Sequence, residues 1–405
     1  MTFSHPSLTH HKPNPDWAGL PLFNRKNWPR VRFGDVVRQL KEQVDPVADG
    51  VERYVAGEHM ETENVHIHQW GNVGDGYLGP AFIRGFRKGQ VLYGSRRTYL
   101  KKVSVADWDG VTANTTYVLE ADEAKLLQRL LPWLMLSDKF TRHSVQQSKG
   151  STNPYINFPD IAKFEFDLPP LEQQLRIAEV LWAMEDLIQS QIELVSSSGT
   201  AVDCTRNEYF SRPGCDGMRP IRECGRWISG HTPSRDRSDF WNGTFPWVSP
   251  KDMKQPLIVD SQEHLSDEGR MEVAAVGAGC LLMVIRGMIL AHTFPVGITQ
   301  RAVAFNQDMK ALVPTSEFSA EYLFHWFKWA SPQILGRVSE SSHGTKRLGM
   351  NELFQMKIFT PSKLEQDVFV LRLKVLESVQ SSARLNAHNL QEVRAAFADQ
   401  VFGNQ

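Results

Sequence analysis

The chain is poor in cysteine, in long apolar runs and in net charge, and each shortage removes a class of protein. Its four cysteines, Cys204, Cys215, Cys224 and Cys280, have spacings that fit neither a CxxC zinc ribbon nor a disulfide framework. They read as free thiols in a reducing cytoplasm. No stretch approaches the ~18 consecutive apolar residues of a membrane span. The opening "MTFSHPSLTHHKPNPDWAG" lacks the apolar core of a signal peptide; rich in Pro, His and Asn, residues 1–27 are expected to form a flexible leader. Lys and Arg number 45 against 46 Asp and Glu, a net charge of −1, so any nucleic-acid surface must be local.

Catalytic signatures are missing too. There is no Walker loop, HExxH, GxSxG or paired-carboxylate nuclease pattern. "GNVGDG", Gly71 to Gly76, sits in a loop-like stretch with no helix opening behind it. His66 and His68 lack a third metal ligand nearby and are expected as strand-face histidines. "STNPYIN" around Asn153 resembles the N-P-P-[YF] motif of DNA amino-methyltransferases, but it is one proline short and follows no glycine-rich cofactor loop.

What is present is written twice. "PRVRFG" from Pro29 is matched by "PIRECG" from Pro220, and "GQVLYGSR" from Gly89 by "GCLLMVIR" from Gly279. Asn114 pairs with Asn306, Trp133 with Trp326, Gly150 with Gly344, and Leu171-Glu172-Gln173 with Leu364-Glu365-Gln366. The matches keep one order and one spacing of about 190 residues, the mark of an internal duplication. Each repeat opens with a mixed part. "VERYVAGEHM", "GQVLYGS" and "TTYVLEA" read as strands, and "DEAKLLQRLLPWLML" as a helix divided or bent by Pro132. The second repeat offers "GCLLMVIRG" and "KALVP" as strands and a helix opened by Ser319.

Each repeat closes with a long amphipathic helix. In the first, Pro169 and Pro170 suit an opening turn, Ile177, Leu181, Met184 and Ile188 form the stripe, and "SSSG" at Ser196–Gly199 is expected to stop or kink it. In the second, Ser362 and Glu365 make a capping box, and Val368, Leu371, Val375 and Leu390 continue the stripe. Two narrow stripes in equivalent places are expected to pack on each other. The expected fold is therefore α+β: two pseudo-two-fold-related mixed α/β domains joined by two long antiparallel coiled-coil helices. The expected boundaries are 28–167 for the first domain, 168–215 for the central helix and linker, 216–360 for the second domain and 361–405 for the distal helix.

Charge is concentrated in "RGFRKGQVLYGSRRTYLKK", Arg84 to Lys102, which holds no acid and interleaves aromatics. Lys and Arg neutralise phosphates, and Arg also reads guanine edges. Arg84, Arg96, Arg97, Tyr99, Lys101 and Lys102 are the candidate DNA contacts of the first repeat, with Lys149 in the glycine-centred "QSKGSTN". The second repeat contributes Thr232, Ser234, Arg235 and Lys251 from a loop-rich stretch, Arg286, and Lys346 with Arg347 in "SSHGTKR".

These residues and both junctions resemble the specificity subunit of type I restriction–modification systems. The likeness runs from about Trp28 onward. It is carried by "GHTPSRDRSDFWNGTFPWVSPKDM", "VAFNQDMKALVP", "HGTKRLGMNELFQMKIFTP" and the proline-then-LEQ junctions, "LPPLEQQLRIAEVL" and the weaker "TPSKLEQDVFVL", where Ser362-Lys363 replaces the second proline. The resemblance implies two target recognition domains separated by antiparallel helices, with no catalytic activity or cofactor of their own. It implies double-stranded DNA, two modification subunits using S-adenosylmethionine, and restriction subunits using ATP and Mg as partners. A protein-binding scaffold and a stand-alone methyltransferase or nuclease are the alternatives.

Overall fold

Pro169 and Pro361 lead into two helices of 40 residues each, Leu171–Phe210 and Lys363–Phe402. They dominate the computed structural model, which describes Trp17 and residues 19–212, 217–340 and 344–403. The chain divides into two compact units, Met1–Ile192 with Arg384–Gln405, and Glu193–Ala383. Each unit therefore owns one mixed domain and half of each long helix.

One buried glutamine explains why the junction is repeated. Gln174 is fully buried. Its amide N–H groups donate to Lys125 O and Pro169 O, and its Oε1 accepts from Leu127 N. In the other unit Gln366, equally buried, donates to Glu317 O and Pro361 O and accepts from Ser319 N. Each amide pins the first turn of a long helix to the segment that opens the domain's own helical part. Buried polar atoms are tolerated only when paired in this way. The true partner of Gln366 is thus Gln174, not Gln173, and the LEQ match is one residue out of structural register. Ser362 and Glu365 close the expected capping box, with Ser362 N donating to the Glu365 carboxylate at 2.9 Å.

The first unit holds an antiparallel sheet in the order Val37–Leu40, Thr116–Ala121, Val91–Gly94, Val103–Val105. A second sheet has the order Gly71–Asn72, Arg53–Val55, Gly110–Ala113, Phe82–Phe86, with Tyr54 lying parallel to and opposite Val111. The second unit repeats the scheme. Gly225–Ser229, Met309–Pro314, Leu281–Val284, Val296–Thr299 and Leu257–Ile258 form one sheet. In the other, Trp241–Val248 lies parallel to Val303–Phe305. The matched tryptophans Trp133 and Trp326 are both 1% exposed in the two cores.

Several expectations need correction. Pro132 does not divide a helix; it opens the short helix Leu131–Leu136 and the residues before it are turns, as its missing N–H favours. His66 and His68 are not on a strand. The residues ahead of Trp28 that are described are not loose. Phe23 is buried and meets Phe397 with ring centroids 5.1 Å apart, and Arg25 donates to Gly403 O at the end of the distal helix. Most of the expected leader, like Cys215, lies outside the described residues. "SSSG" does not stop the central helix, which runs on from Leu171 to Phe210. Ser197 and Ser198 fold their hydroxyls back to Leu194 O. A Cβ at Gly199 would lie 2.7 Å from Gln380 Nε2, so glycine there admits the neighbouring helix.

Within each unit the two helix halves run antiparallel and also seal their own domain. In the first, Ile177 and Leu181 share a core with Trp133, Phe397 and Val401; Ile188 is buried and Met184 half-buried. In the second, Tyr209 stacks on Phe369 at 4.0 Å and Gln380 donates to Val195 O at 3.1 Å. Val368, Leu371 and Val375, expected at the helix interface, are 61%, 63% and 56% exposed. The buried row is Gln366, Phe369, Val370, Leu373, Ala383 and Ala387, with Leu390 half-buried. The distal helix carries apolar residues on two rows, and the row phased by the polar Gln366 is the one that packs.

An ion pair joins the helices in each unit, buried in the first and partly buried in the second. Arg394 donates to Glu185, both nearly inaccessible. In the other unit Arg206 bonds Glu377 at 2.6 Å and also donates to His325 Nδ1. Burial, and then the Arg206, Lys374 and Lys328 charges, push the His325 imidazole down to about 3.

Candidate nucleic-acid interface

The same backbone device presents a basic turn in both units. After Val91–Gly94, Ser95 N donates to Thr115 O at 3.0 Å, Arg97 N to Pro154 O at 2.7 Å, and Ile156 N to Ser95 O at 2.9 Å. After Leu281–Val284, Ile285 N donates to Asp308 O at 2.8 Å, Gly287 N to Lys346 O at 3.0 Å, and Leu348 N to Ile285 O at 2.9 Å. Arg96 thereby lies opposite Tyr155, and Arg286 opposite Arg347. The facing loops turn on Gly150 (φ 86°) and Gly344 (φ 79°), a left-handed backbone that glycine adopts without penalty.

In the first unit Arg96 and Arg97 are exposed beside the loop that carries Lys149. Lys149 bonds Asp160 at 3.1 Å and shares a cleft of about 560 Å³ with Arg84, Lys41 and Tyr117. Arg84 donates to Lys41 O at 3.0 Å. Tyr99 is half-buried, and Lys102, also half-buried, reaches Gly57 O. Lys101 is the exception. It is 8% exposed, and its Nζ is 2.7 Å from both Glu63 and Asp138. Burial opposes its charge, but the Glu63 and Asp138 carboxylates outweigh burial and hold its pKa above the usual value. Lys101 is therefore not a DNA contact: a charge turned inward onto two carboxylates has no face for a phosphate. Tyr155, which sequence reasoning passed over, is 41% exposed beside Arg96; its place opposite the basic turn was the missing signal.

In the second unit several of the candidate residues share neighbours. Arg286 lies 3.7 Å from Asp308, next to Gln307, whose side chain accepts from Thr232. His231 O accepts from Trp247 Nε1 at 3.0 Å. Arg235 lies 3.8 Å from the Trp241 ring and bonds Glu263 at 3.0 Å. Ser234 is exposed and its carbonyl takes the Trp241 Nε1 bond. Lys251 is exposed on the capped turn Pro250–Asp252. Lys346 bonds Glu340 at 2.6 Å, whereas Arg347 is exposed. Ser341 of the same loop lies outside the described residues.

Among the described residues no group of three or more His, Cys, Asp or Glu is placed to hold a metal ion, and no helix is long and apolar enough to cross a membrane. Cys204, Cys224 and Cys280 are free thiols.

These features define an α+β protein of two units, each offering one basic turn. A family model described as the type I restriction modification DNA specificity domain matches residues 84–195. The type I restriction enzyme EcoR124I/EcoR124II specificity subunit of Escherichia coli is 29% identical over 167 residues, 40% of this chain. That match spans only 41% of the relative's own length. The HindI specificity subunit of Haemophilus influenzae is 20% identical over 91% of this chain and 97% of its own. Among solved structures, a chain from a study of complex assembly in the type I R-M system superposes with TM-score 0.60 at 19% identity, covering 93% of this chain and 98% of that one. The Type-I restriction-modification system S subunit from M. genitalium does so with TM-score 0.57 at 13% identity, covering 94% and 97%. Residues 84–195 thus match the type I DNA specificity domain, and the chain shares the fold of a type I S subunit over most of its length.

Proposed function

We propose that this chain is the sequence-reading subunit of a cytoplasmic type I restriction–modification complex. Each domain reads one half of a bipartite, asymmetric site in double-stranded DNA, and the helices set the gap between the halves. The observation that carries this reading is the repeated turn: one set of backbone hydrogen bonds holds Arg96 and Arg97 in one unit and Arg286 and Arg347 in the other. The scaffold is common, but the side chains it offers differ, so the half-sites differ. The chain does no chemistry and binds no cofactor. Two modification subunits bring S-adenosylmethionine, and restriction subunits bring ATP and Mg. The modification subunits dock on the helices, which leave Leu364, Val368, Leu371 and Val375 on one and Leu171 and Leu175 on the other uncovered; apolar rows of this kind mark interaction surfaces.

Methylation mapping of a host genome with and without this chain tests the reading. Methylation at one bipartite motif should vanish with the chain; its persistence overturns the proposal. An insertion of about one helical turn, ~6 Å, after Ile192 and again after Ala383 tests the ruler. It falls between the two Glu–Arg pairs and leaves both heads intact. The half-sites should stay the same while the gap grows by about one or two base pairs at ~3.4 Å each. An unchanged gap assigns the spacing to the partners instead.

A further inference from the structure

Glu63 (φ 57°), Arg97 (φ 50°) and Lys101 (φ 46°) hold left-handed backbone in the first unit without being glycine. Such conformations persist only where the surroundings impose them, and they gather at functional sites. The second unit solves the same turn differently. The place of Arg97, whose N–H donates to Pro154 O, is taken there by Gly287, whose N–H donates to Lys346 O and whose φ is 138°. The first head thus has an exposed arginine where the second has a glycine, and something must hold that arginine in an unfavourable backbone.

The holding groups are two ion pairs of the buried Lys101, one with the buried Asp138 and one with the half-exposed Glu63, that reach back to the helices. Lys101, at the far end of the turn, meets Glu63 and Asp138 with both N–O distances at 2.7 Å. Glu63 N donates to Lys101 O at 3.2 Å, so the two left-handed residues clasp each other through backbone and side chain. The clasp is tied to the distal helix twice: Arg394 donates to Glu63 O at 3.1 Å, and Asp138 N donates to Asp399 Oδ1 at 2.7 Å. Arg394 in turn bonds Glu185 of the central helix and lies over the Trp133 ring.

We propose that Lys101, Glu63 and Asp138 are positioning residues for DNA recognition by the first domain. They touch no DNA. They hold the turn from Arg97 to Lys101, left-handed at both of its ends, and reference it to the helix pair, so that Arg96 and Arg97 meet the half-site preformed. The inference rests on the DNA-reading function and adds to it that the first head is wired to the helices through this clasp. Among the described residues no buried lysine supports the corresponding turn of the second head, where glycine needs none.

The test exploits the sign of charge. The full chain, assembled with its modification subunits, is titrated with a duplex carrying the mapped site and with duplexes in which either half is scrambled. Arg97→Ala identifies which half belongs to the first domain. Asp138→Asn and Glu63→Gln each remove a negative charge. Electrostatics alone would then leave DNA affinity equal or higher. Positioning requires the opposite: about tenfold weaker binding, with discrimination lost at the first half-site only and kept at the second. Lys101→Met combined with Asp138→Asn should be no worse than either alone, because both break one clasp. Equal or tighter binding overturns the proposal. So does a loss shared by both half-sites, which marks general destabilisation. If Asp138→Asn fails to fold, Glu63→Gln decides, since that side chain is about half exposed. Wild-type complex that does not distinguish the site from scrambled duplex refutes the DNA-reading function itself, a result separate from these.

Discussion

Replacing Gln366 by alanine should be among the most damaging single truncations in the second unit, although the residue is polar and far from the basic turns. Its side chain satisfies Ser319 N, Glu317 O and Pro361 O, and among the described residues no other side chain hydrogen-bonds them. Truncation strands three backbone groups in a fully buried place. Each costs about 1–3 kcal/mol when left unpaired. Water entering the void recovers part of this, so the low end is appropriate, about 3 kcal/mol in all. That is a large share of a domain's usual ~5–15 kcal/mol. Gln174→Ala should cost the same in the first unit, since its three bonds are equivalent. The control is Gln173→Ala. Gln173 is half-buried, and its main contact is the 2.7 Å bond from Trp28 Nε1, so its loss should cost about 1 kcal/mol. Urea denaturation of the full chain, followed by tryptophan fluorescence, measures all three. Losses below about 1 kcal/mol for both Gln174→Ala and Gln366→Ala, or a Gln173→Ala loss as large as theirs, would refute the assignment of the junction motif to these two amides.

Other outcomes are expected from the same structure. Arg96→Ala and Arg97→Ala should each flatten the salt dependence of DNA binding by about one unit of slope, and an unchanged slope in both would mean a merely solvated face. Ile188→Asp buries a charge at a position 1% exposed and should cost several kcal/mol of stability, about 3–5. Leu371→Asp should leave thermal stability nearly untouched but break assembly with the modification subunits, and intact assembly would rule out that row as their dock. The His325 imidazole titrates near 3 in the folded chain, below its unfolded value of ~6.5, so its contribution is complete above ~6.5 and declines as pH falls toward 3. Wild type should lose up to about 1.4 kcal/mol per pH unit in that window relative to His325→Gln, and parallel stability curves would show that His325 is hydrated when folded.

The duplication was legible because tryptophan, glycine and the junction glutamines sit where few substitutes serve. Trp133 and Trp326 fill both cores, and Gly150 and Gly344 take the same left-handed turn. The two long helices were legible from their period. The face of the distal helix was not. Apolar residues at Val368, Leu371 and Val375 match helical spacing as well as Phe369, Val370 and Leu373 do, and the decisive residue, Gln366, is polar and so looks like surface. Lys101 was misread for a related reason. A lysine in a basic run is ordinarily solvated, and its two carboxylate partners lie far away in sequence, at Glu63 and Asp138.

The two heads show what duplication keeps and what it releases. The backbone bonds from Ser95, Arg97 and Ile156 recur at Ile285, Gly287 and Leu348, yet at none of these places do the side chains agree. Backbone bonds demand a path, not a residue, so the path survives divergence: arginine is kept at Arg96 and Arg286, while Gly287 stands where the first unit has Arg97. A reading head gains from that freedom: a new side chain at the turn changes what the head offers to a base edge without moving the scaffold. The freedom has a limit where the path itself is left-handed. There the second head has glycine at 287, and the first has Arg97 with the clasp of the buried Lys101 behind it. An extra reading side chain at this turn therefore requires support from the core. This is why the most informative residue of the basic segment, Lys101, is the one that faces inward.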